Sequence, residues 1–240
     1  SSIALRSFLA ESMLTFAVYR AIVTGTGISS TNNEGLFSEA NHVIVSKGQA
    51  PDPSQPAHVI SRIVGFWPMG PGSSTTVVLV QLRGRGVNGA NDRALLLVEA
   101  SGTNVQVLFR EGDTSGQPDA AKVRSIQRVD VDGALGNYVV LASLTGSGAR
   151  NQALFTGNVK LGNNTTLNGL RTPRLVLRKG GLFQAALGQT TAIRSMNLPV
   201  NTDRGGAGAK GLSQSINNTG NIAVNITFNN GAREILVGKP

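Results

Sequence analysis

The chain contains no cysteine and only two histidines, and these two absences exclude several kinds of chemistry. Without cysteine there is no disulfide, no thiol nucleophile, no iron–sulfur cluster and no cysteine-type zinc site. The two histidines, His42 and His58, are too few for a multi-histidine metal centre. We therefore expect no cofactor, and the only metal chemistry left open is carboxylate binding of Ca²⁺.

Charge is also scarce, and it is mostly of one sign. Charged residues make up 15% of the chain, against about 25% in a typical soluble domain. The 22 Lys and Arg outnumber the 13 Asp and Glu, which gives a net charge of +9. A positive surface favours an acidic partner such as an acidic polysaccharide. Because the basic residues are scattered and not interleaved with aromatic residues, we do not expect specific nucleic-acid binding.

Long hydrophobic runs are missing as well. A membrane helix needs about 18–20 consecutive apolar residues, whereas the longest runs, such as 76–80 and 138–142, have the length of a strand. We therefore expect no membrane span. Residues 1–20 lack the basic start, apolar block and cleavage site of a secretion signal. The absence of cysteine suits either the cytosol or an exported protein without disulfides.

The chain does contain many short apolar runs bounded by glycine, asparagine, serine and proline, and this pattern is typical of short strands. An amphipathic helix over 3–13 is the one competing helical pattern. The runs repeat, because similar tripeptides recur at a spacing of 59 residues and a weaker fourth copy follows. The copies are Gly35-Leu36-Phe37, Ala94-Leu95-Leu96, Ala153-Leu154-Phe155 and Glu234-Ile235-Leu236.

The repeat predicts an all-β, propeller-like fold of about four repeats, each with four short antiparallel strands in about 60 residues. We expect one repeat domain over 1–240, with repeats at approximately 1–50, 51–115, 116–185 and 186–240. The last repeat is incomplete, because no fourth strand follows its third. A β-sandwich that assembles as a coat or shell is the alternative, but the regular spacing argues against it.

The short motifs of the chain resemble a known group of proteins. Asn33–Phe37, Arg110–Asp113, Asp130–Gly133 and 217–223 resemble motifs of exported bacterial propeller-like repeat proteins with PEP-CTERM or other choice-of-anchor sorting tails. The resemblance implies an extracellular or cell-surface location and a structural or recognition role. It brings no catalytic residues with it.

Arginines provide the candidate anion sites. Arg6, Arg124 and Arg194 each precede a serine at what we take to be one repeat position, and in a propeller they could form a basic ring. Strand alternation places them on the same face as packed apolar residues, which favours a structural role instead. Arg83 and Arg85 lie in a glycine turn, where guanidinium and backbone N–H groups can hold a phosphate or sulfate. A solvated turn is the simpler interpretation of that pair.

Few other residues point to a site. Trp67 is the single candidate for stacking on a sugar ring. Asp130 and Asp132 resemble the start of a Ca²⁺ loop, but the glutamate expected further along is absent, so a strand-connecting turn is the favoured interpretation. No catalytic constellation is recognisable, and we predict that the protein is not an enzyme.

The prediction for function is a non-enzymatic extracellular structural or interaction module. The missing fourth strand leaves an unpaired strand edge, which can pair with other protein chains or with copies of the chain itself. The alternatives are a propeller that binds anionic polysaccharide, a propeller that acts as a glycan hydrolase or lyase, and a β-sandwich coat or shell protein.

Overall fold

The computed structural model describes residues 2–9, 17–38, 42–69, 75–99, 102, 104–116, 119–159, 173–184, 188–199 and 215–239. Over these residues the chain is all-β, with sixteen strands and no helix. Within them, therefore, no helix is long and apolar enough to cross a bilayer. The segment for which a helix was the alternative begins with a strand over Ser2–Leu9, while its residues 10–13 lie outside the described residues.

The strands form four antiparallel sheets of four strands each. In each sheet every strand pairs with the next along the chain. In sheet 4, β13 forms one edge, beside β14, and β16 forms the opposite edge. Sheet 1 contains β1 (Ser2–Leu9), β2 (Val18–Thr24), β3 (Glu34–Ser38) and β4 (Val43–Ser46). Sheet 2 contains β5 (Val59–Pro68), β6 (Thr75–Arg83), β7 (Arg93–Glu99) and β8 (Val105–Arg110). Sheet 3 contains β9 (Val123–Val131), β10 (Asn137–Leu144), β11 (Gln152–Asn158) and β12 (Arg174–Arg178). Sheet 4 contains β13 (Leu182–Gln184), β14 (Thr190–Asn197), β15 (Ile222–Phe228) and β16 (Arg233–Gly238).

The described residues divide into two compact units. Those up to Arg110 form the first unit, with sheets 1 and 2, and those from Glu111 onward form the second, with sheets 3 and 4. The first unit buries a core that includes Leu36, Val78 and Leu96, and Val105 and Val107 of β8 pack against it. The second unit buries an equivalent core between its own two sheets, built from β10, β11, β14 and β15.

The same backbone connection recurs where one sheet ends and the next repeat begins. A glycine with positive φ (Gly48, Gly112 or Gly180) follows the last strand and donates its N–H to the carbonyl of Ile60, Val123 or Ile193 at 2.7–2.8 Å. The N–H of that residue donates back to the carbonyl of the residue after the glycine, at 2.8–3.0 Å. We call this reciprocal pair of hydrogen bonds the joint. Glycine is favoured at the joint because its φ of +79° to +89° is costly for other residues.

Candidate functional site

The third strand of each repeat allows the four sheets to be compared residue by residue. In every sheet, a residue near the end of the repeat's second strand donates its N–H to a carbonyl just before the third strand. An apolar residue of the third strand follows that carbonyl by three positions each time. This register makes Leu36, Leu95, Leu154 and Ile235 equivalent, as the tripeptides predict. In sheets 1 to 3 this side chain is buried, at 0–2% exposed, whereas Ile235 is 67% exposed.

The cause is the face of the sheet on which the side chain lies. Leu36 and Leu154 belong to the cores between sheets, whereas Ile235 pairs with Asn225 on the face of sheet 4 that lies opposite its core residues. Among the described residues no strand pairs with the outer side of β16. The second exposed residue of β16, Val237, is 68% exposed, although its equivalents Leu97 and Thr156 are buried. Since exposed apolar edges are templates for another strand, β16 is the candidate site.

The other outer edges are built differently. β12 is also an edge strand, and it begins at Arg174 and ends at Arg178. Its most exposed apolar side chain, Val176, is only 38% exposed. Charged residues on an edge oppose further pairing. β16 instead places two exposed β-branched residues on one face of its edge.

A groove runs beside β16 within the second unit. Its volume is about 360 Å³ and its lining is mainly apolar. The apolar residues that line it include Leu154, Val176, Leu177, Phe183, Val224 and Leu236. Gly238 also lines the groove, at the position that Val98 occupies in sheet 2.

The first unit shows the same space filled. The equivalents of the groove residues, among them Leu36, Ile44, Val78 and Leu96, are buried there. Val105 and Val107 of β8 pack against them, because they pair with Val98 and Leu96 on the same face. The groove in the second unit is thus the space that a strand paired with the outer side of β16 would fill.

Two charged residues, Arg233 and Glu234, begin β16. Glu234 occupies the position held by Gly35, Ala94 and Ala153 in the other sheets. In sheets 2 and 3 the residue opposite that position is an arginine, Arg110 or Arg178. Glu234 of β16 therefore occupies the position that directly faces an arginine of the neighbouring strand in sheets 2 and 3.

Those two arginines form clamps that were not predicted from the sequence. Arg178 donates two hydrogen bonds to the carboxylate of Asp119, at 3.0 and 2.7 Å, and a third to the carbonyl of Arg150. The hydrogen bond from Arg178 holds the pKa of Asp119 below its ordinary value. Each clamp ties the end of the last strand to the segment that precedes the first strand of the same sheet.

Arg110 makes the equivalent clamp in sheet 2. It donates to Gln55 Oε1 at 2.7 Å and to Nδ1 of His58 at 3.0 Å. A guanidinium has no acceptor, so Nδ1 of His58 is unprotonated and Nε2 donates to the carbonyl of Arg85 at 3.0 Å. The signal for a clamp in the sequence is the arginine two residues before the glycine of the joint. The partner of that arginine lies more than fifty residues away along the chain.

The three arginines of the predicted ring lie at two different repeat positions. The first strand of each repeat contains residues that the pairing register skips as β-bulges, and Ser61, Arg124 and Arg194 are the skipped residues at one shared position. The prediction that Arg6 shares this position is wrong. Arg6 is skipped in a different bulge, whose equivalents in sheets 2 and 3 are Val64 and Gln127.

The bulge also changes where these arginines point. Arg124 and Arg194 are exposed, whereas Ile126 and Met196 are buried. Strand alternation predicted a packed position for the arginines, and this is wrong because the extra residue of the bulge breaks the alternation. Arg83 and Arg85 are exposed too, and Arg83 donates to the carbonyl of Thr31 at 3.4 Å.

Trp67 does not present a ring face to solvent. It is 7% exposed, and its indole lies against the backbone of Gly65. Stacking on a sugar needs an exposed face, so this placement argues against the predicted stacking role.

Asp130 and Asp132 are both buried, but they serve different contacts. Asp130 accepts two hydrogen bonds from Arg128 and two more from the N–H and hydroxyl of Ser215. Asp132 accepts from the N–H of Ala134 at 2.9 Å, as in the predicted strand-connecting turn. Within the described part of the chain, no group of three or more His, Asp or Glu residues could hold a metal ion.

Comparison with known proteins places the chain in a family. A family model described as a family of unknown function, DUF7453, matches residues 15–239. The chain belongs to the DUF7453 family. The match extends from before β2 to after β16, so the candidate edge of this DUF7453 chain lies within the family region. No curated protein and no solved structure matches it.

Sequence reasoning identified β14, β15 and β16 of this DUF7453 chain, but it missed β13 and Glu234. β13 is a longer form of the pairing seen in the preceding linker, where Thr114 bridges to Lys122. Its signal is weak, because three residues are too few to show a period. Glu234 could have been noticed as the one charged residue among equivalents that are Gly or Ala.

Proposed function

We propose that the chain is a non-enzymatic structural or interaction module at the cell exterior, in which the outer edge of β16 docks a strand from another polypeptide chain. The observation that carries the proposal is the apolar groove beside β16, in the space that Val105 and Val107 fill in the first unit. Pairing of a guest strand with a sheet edge gives affinity through the backbone, and pockets beside the edge give specificity.

The propeller-like arrangement of the four repeats is part of the same proposal. It is supported by the shared strand order of sheets 1 to 3 and by the joint, which recurs three times with the same hydrogen bonds. Small-angle X-ray scattering tests the arrangement. We expect a compact particle, and an elongated one would contradict a propeller.

Docking at the edge is tested by hydrogen exchange. The chain is mixed with a panel of strand-forming peptides of varied sequence, and the exchange of the β16 amides is followed. We expect at least one peptide to slow exchange over 233–238, and Ile235→Lys to abolish the effect. Leu182→Lys is the matched control, because Leu182 is 76% exposed on the opposite edge of the same sheet. If no peptide protects β16, the proposed docking is wrong.

The cell-exterior location is tested separately. Labelling intact cells of the native host with a membrane-impermeant amine reagent should modify the protein. Labelling only after lysis would contradict the location and leave the docking proposal in place.

A second candidate function is supported by the exposed bulge arginines. Arg124 and Arg194 occupy the same position in sheets 3 and 4 and point outward, so they could hold an acidic polysaccharide. The test is retention on a heparin column at increasing salt. An unchanged elution after Arg124→Ser with Arg194→Ser would assign the retention to the net charge of +9 alone.

A further inference from the structure

We propose that the face of sheet 4 opposite its core binds an acidic polysaccharide, a chain of sugars that carries carboxylate or sulfate groups. This inference rests on the second candidate function and gives it one site, and it is independent of strand docking at the edge of β16. We call this surface the open face. A cavity of about 390 Å³ lies on it, lined by Ser195, Asn197, Asn225, Thr227, Arg233 and Ile235.

The strand register arranges these six residues in two rows on one face. The rows are Ser195, Thr227 and Arg233, and Asn197, Asn225 and Ile235. Because directly paired residues share a face, each row crosses the three strands β14, β15 and β16. Met196 and Ile226 lie between the rows and belong to the core. Since neighbouring residues of a strand point to opposite faces, both rows point away from the core.

Sheet 3 shows the same row of residues in a packed form. Ser125 and Ser143 share a hydrogen bond of 2.6 Å, and the amide of Gln152 bonds to the N–H and carbonyl of Met196 at 2.8 and 3.0 Å. The equivalents of these three polar residues in sheet 4 are Ser195, Thr227 and Arg233. Within the described part of the chain, the side chains of those equivalents form no hydrogen bond or ion pair, and neither do Asn197 and Asn225.

Asn225 shows that the open face is polar because of its own residues. Its equivalents are Leu79 in sheet 2 and Leu141 in sheet 3, which are 8% and 4% exposed. Burying an amide without a hydrogen-bond partner is costly. An asparagine in place of these leucines therefore suits contact with a polar ligand and not with another apolar sheet.

Two arginines lie on either side of the first row. Arg233 ends the row on β16, and Arg194 is the bulge residue next to Ser195 on β14. Because Ile193 and Met196 both belong to the core, the two residues between them point outward together. The strands that carry the arginines lie two strand spacings apart, on the order of 10 Å.

The charge of the open face favours an acidic ligand. Glu234 is the one acidic residue in the strands of sheet 4, and it pairs with the core residue Ile226, outside both rows. Guanidinium groups hold carboxylates and sulfates through charge-assisted hydrogen bonds, often two at once. Arg194 and Arg233 can therefore hold two acidic groups of one chain.

The remaining side chains suit the sugars between those acidic groups. Their amides and hydroxyls both donate and accept hydrogen bonds, as sugar hydroxyls do. Ile235 is 67% exposed and provides an apolar surface for the C–H groups of a sugar ring. A peptide strand matches this set less well, because its backbone groups pair with the edge of a sheet and not with its face.

Arg124 is the equivalent bulge arginine of sheet 3, but it lacks such neighbours. The hydroxyls of Ser125 and Ser143 are bonded to each other, and Gln152 is bonded to Gln127 and Met196. Arg124 and Arg194 thus form a matched pair, in which both carry the same charge and only Arg194 lies beside an open polar row.

The test measures the binding of labelled oligosaccharides to the full chain by fluorescence anisotropy at physiological ionic strength. The probes are an oligogalacturonate with carboxylates, a heparin oligosaccharide with sulfates and a neutral dextran oligosaccharide. We expect saturable binding of at least one acidic probe and none of the neutral one. Arg194→Ser and Arg233→Ser should each weaken that binding about tenfold. Arg124→Ser removes the same charge and should change it by less than about twofold.

Two further variants test the second row without changing the charge. Asn225→Leu introduces the leucine of sheets 2 and 3, and Asn197→Ala removes an exposed amide. Both should weaken the binding several-fold. Both should also keep the wild-type urea midpoint, because neither side chain has a partner within the described part of the chain.

The remaining outcomes overturn the inference in distinguishable ways. If Arg124→Ser and Arg194→Ser weaken binding equally while Arg233→Ser and Asn225→Leu do not, the open face is not the site but the second candidate function stands. If every lost charge has the same effect, or if no acidic probe binds saturably, both fail. If only a peptide binds, and Asn225→Leu weakens it, the open face belongs to a protein partner.

Discussion

Sheets 3 and 4 form the two halves of the second unit, yet the third strands β11 and β16 differ in their surroundings. β11 has a neighbour on each side, and its central leucine, Leu154, is 2% exposed. β16 has the same register on its inner side and no described neighbour on its outer side, and Ile235 is 67% exposed. The comparison shows that the packing of a second sheet against the face on which a residue lies, and not its hydropathy, decides whether an apolar residue of this repeat belongs to the core.

The largest contrast is expected from truncating the two equivalent side chains. Leu154→Ala should lower the free energy of unfolding by about 2–5 kcal/mol, because it removes a buried side chain and leaves a cavity. Ile235→Ala should change it by less than about 0.5 kcal/mol. Urea unfolding followed by circular dichroism measures both. Equal losses would mean that Ile235 is already covered in solution.

The next contrast is between two glycines at the same repeat position, Gly157 in β11 and Gly238 in β16. A Cβ added to Gly157 would lie 2.5 Å from the buried ring of Tyr138, whereas one added to Gly238 meets nothing within 4 Å. Gly157→Ala should therefore cost about 1–3 kcal/mol through overpacking. Gly238→Ala should lie within about 0.5 kcal/mol of wild type. A tolerant Gly157 would indicate that the Tyr138 ring can move.

A smaller effect is expected at the clamp of sheet 3, which has no counterpart among the described residues of sheet 4. The pKa of Asp119 is lowered below 3.8, first by the hydrogen bond from Arg178. A lowered folded-state pKa contributes stability above the unfolded value of 3.8 that is lost as pH falls through the folded pKa. Asp119→Asn should thus slightly lower the urea midpoint at pH 6. Below pH 4 the midpoint of the variant should depend less on pH than that of wild type.

The matched control uses the clamp of sheet 2. Gln55 accepts from Arg110 but does not titrate, so Gln55→Ala should shift the midpoint by the same amount at pH 5 and pH 3. If Asp119→Asn keeps the full acid dependence of wild type, the ion pair makes no contribution in solution.

The smallest effect is expected where sheets 3 and 4 are alike. Arg124→Ser and Arg194→Ser should each leave the free energy of unfolding within about 0.5 kcal/mol of wild type, because both side chains are exposed. Sheet 2 already has serine, Ser61, at this bulge. A loss above about 1 kcal/mol from either change would show that the arginine supports its bulge.

Much of the architecture could be predicted from the sequence. The apolar runs and the spacing of 59 residues located every strand of sheets 1 to 3 and three strands of sheet 4, because alternation and turn glycines are local signals. The β-bulges could not be predicted. One extra residue leaves no mark in composition, but it shifts Arg124 from the predicted packed face to the exposed one.

The candidate site was only half predictable. The repeat predicts that β16 is the third strand of its repeat, and among the described residues no strand pairs with its outer side. The groove depends on which residues of β12 and β16 lie near each other, and Gly238 contributes to it by having no side chain. Such contacts are set by packing between sheets, which no local pattern in the sequence records.

The joint has a consequence for how the chain folds. The two hydrogen bonds at Gly48, Gly112 and Gly180 each connect residues only ten to thirteen positions apart. Short loops of this kind close quickly and at small entropic cost. Because each joint needs only the first strand of the next repeat, we expect folding to advance during synthesis, one repeat after another from the amino terminus. Stability should then follow nearest-neighbour cooperativity, as in other repeat proteins.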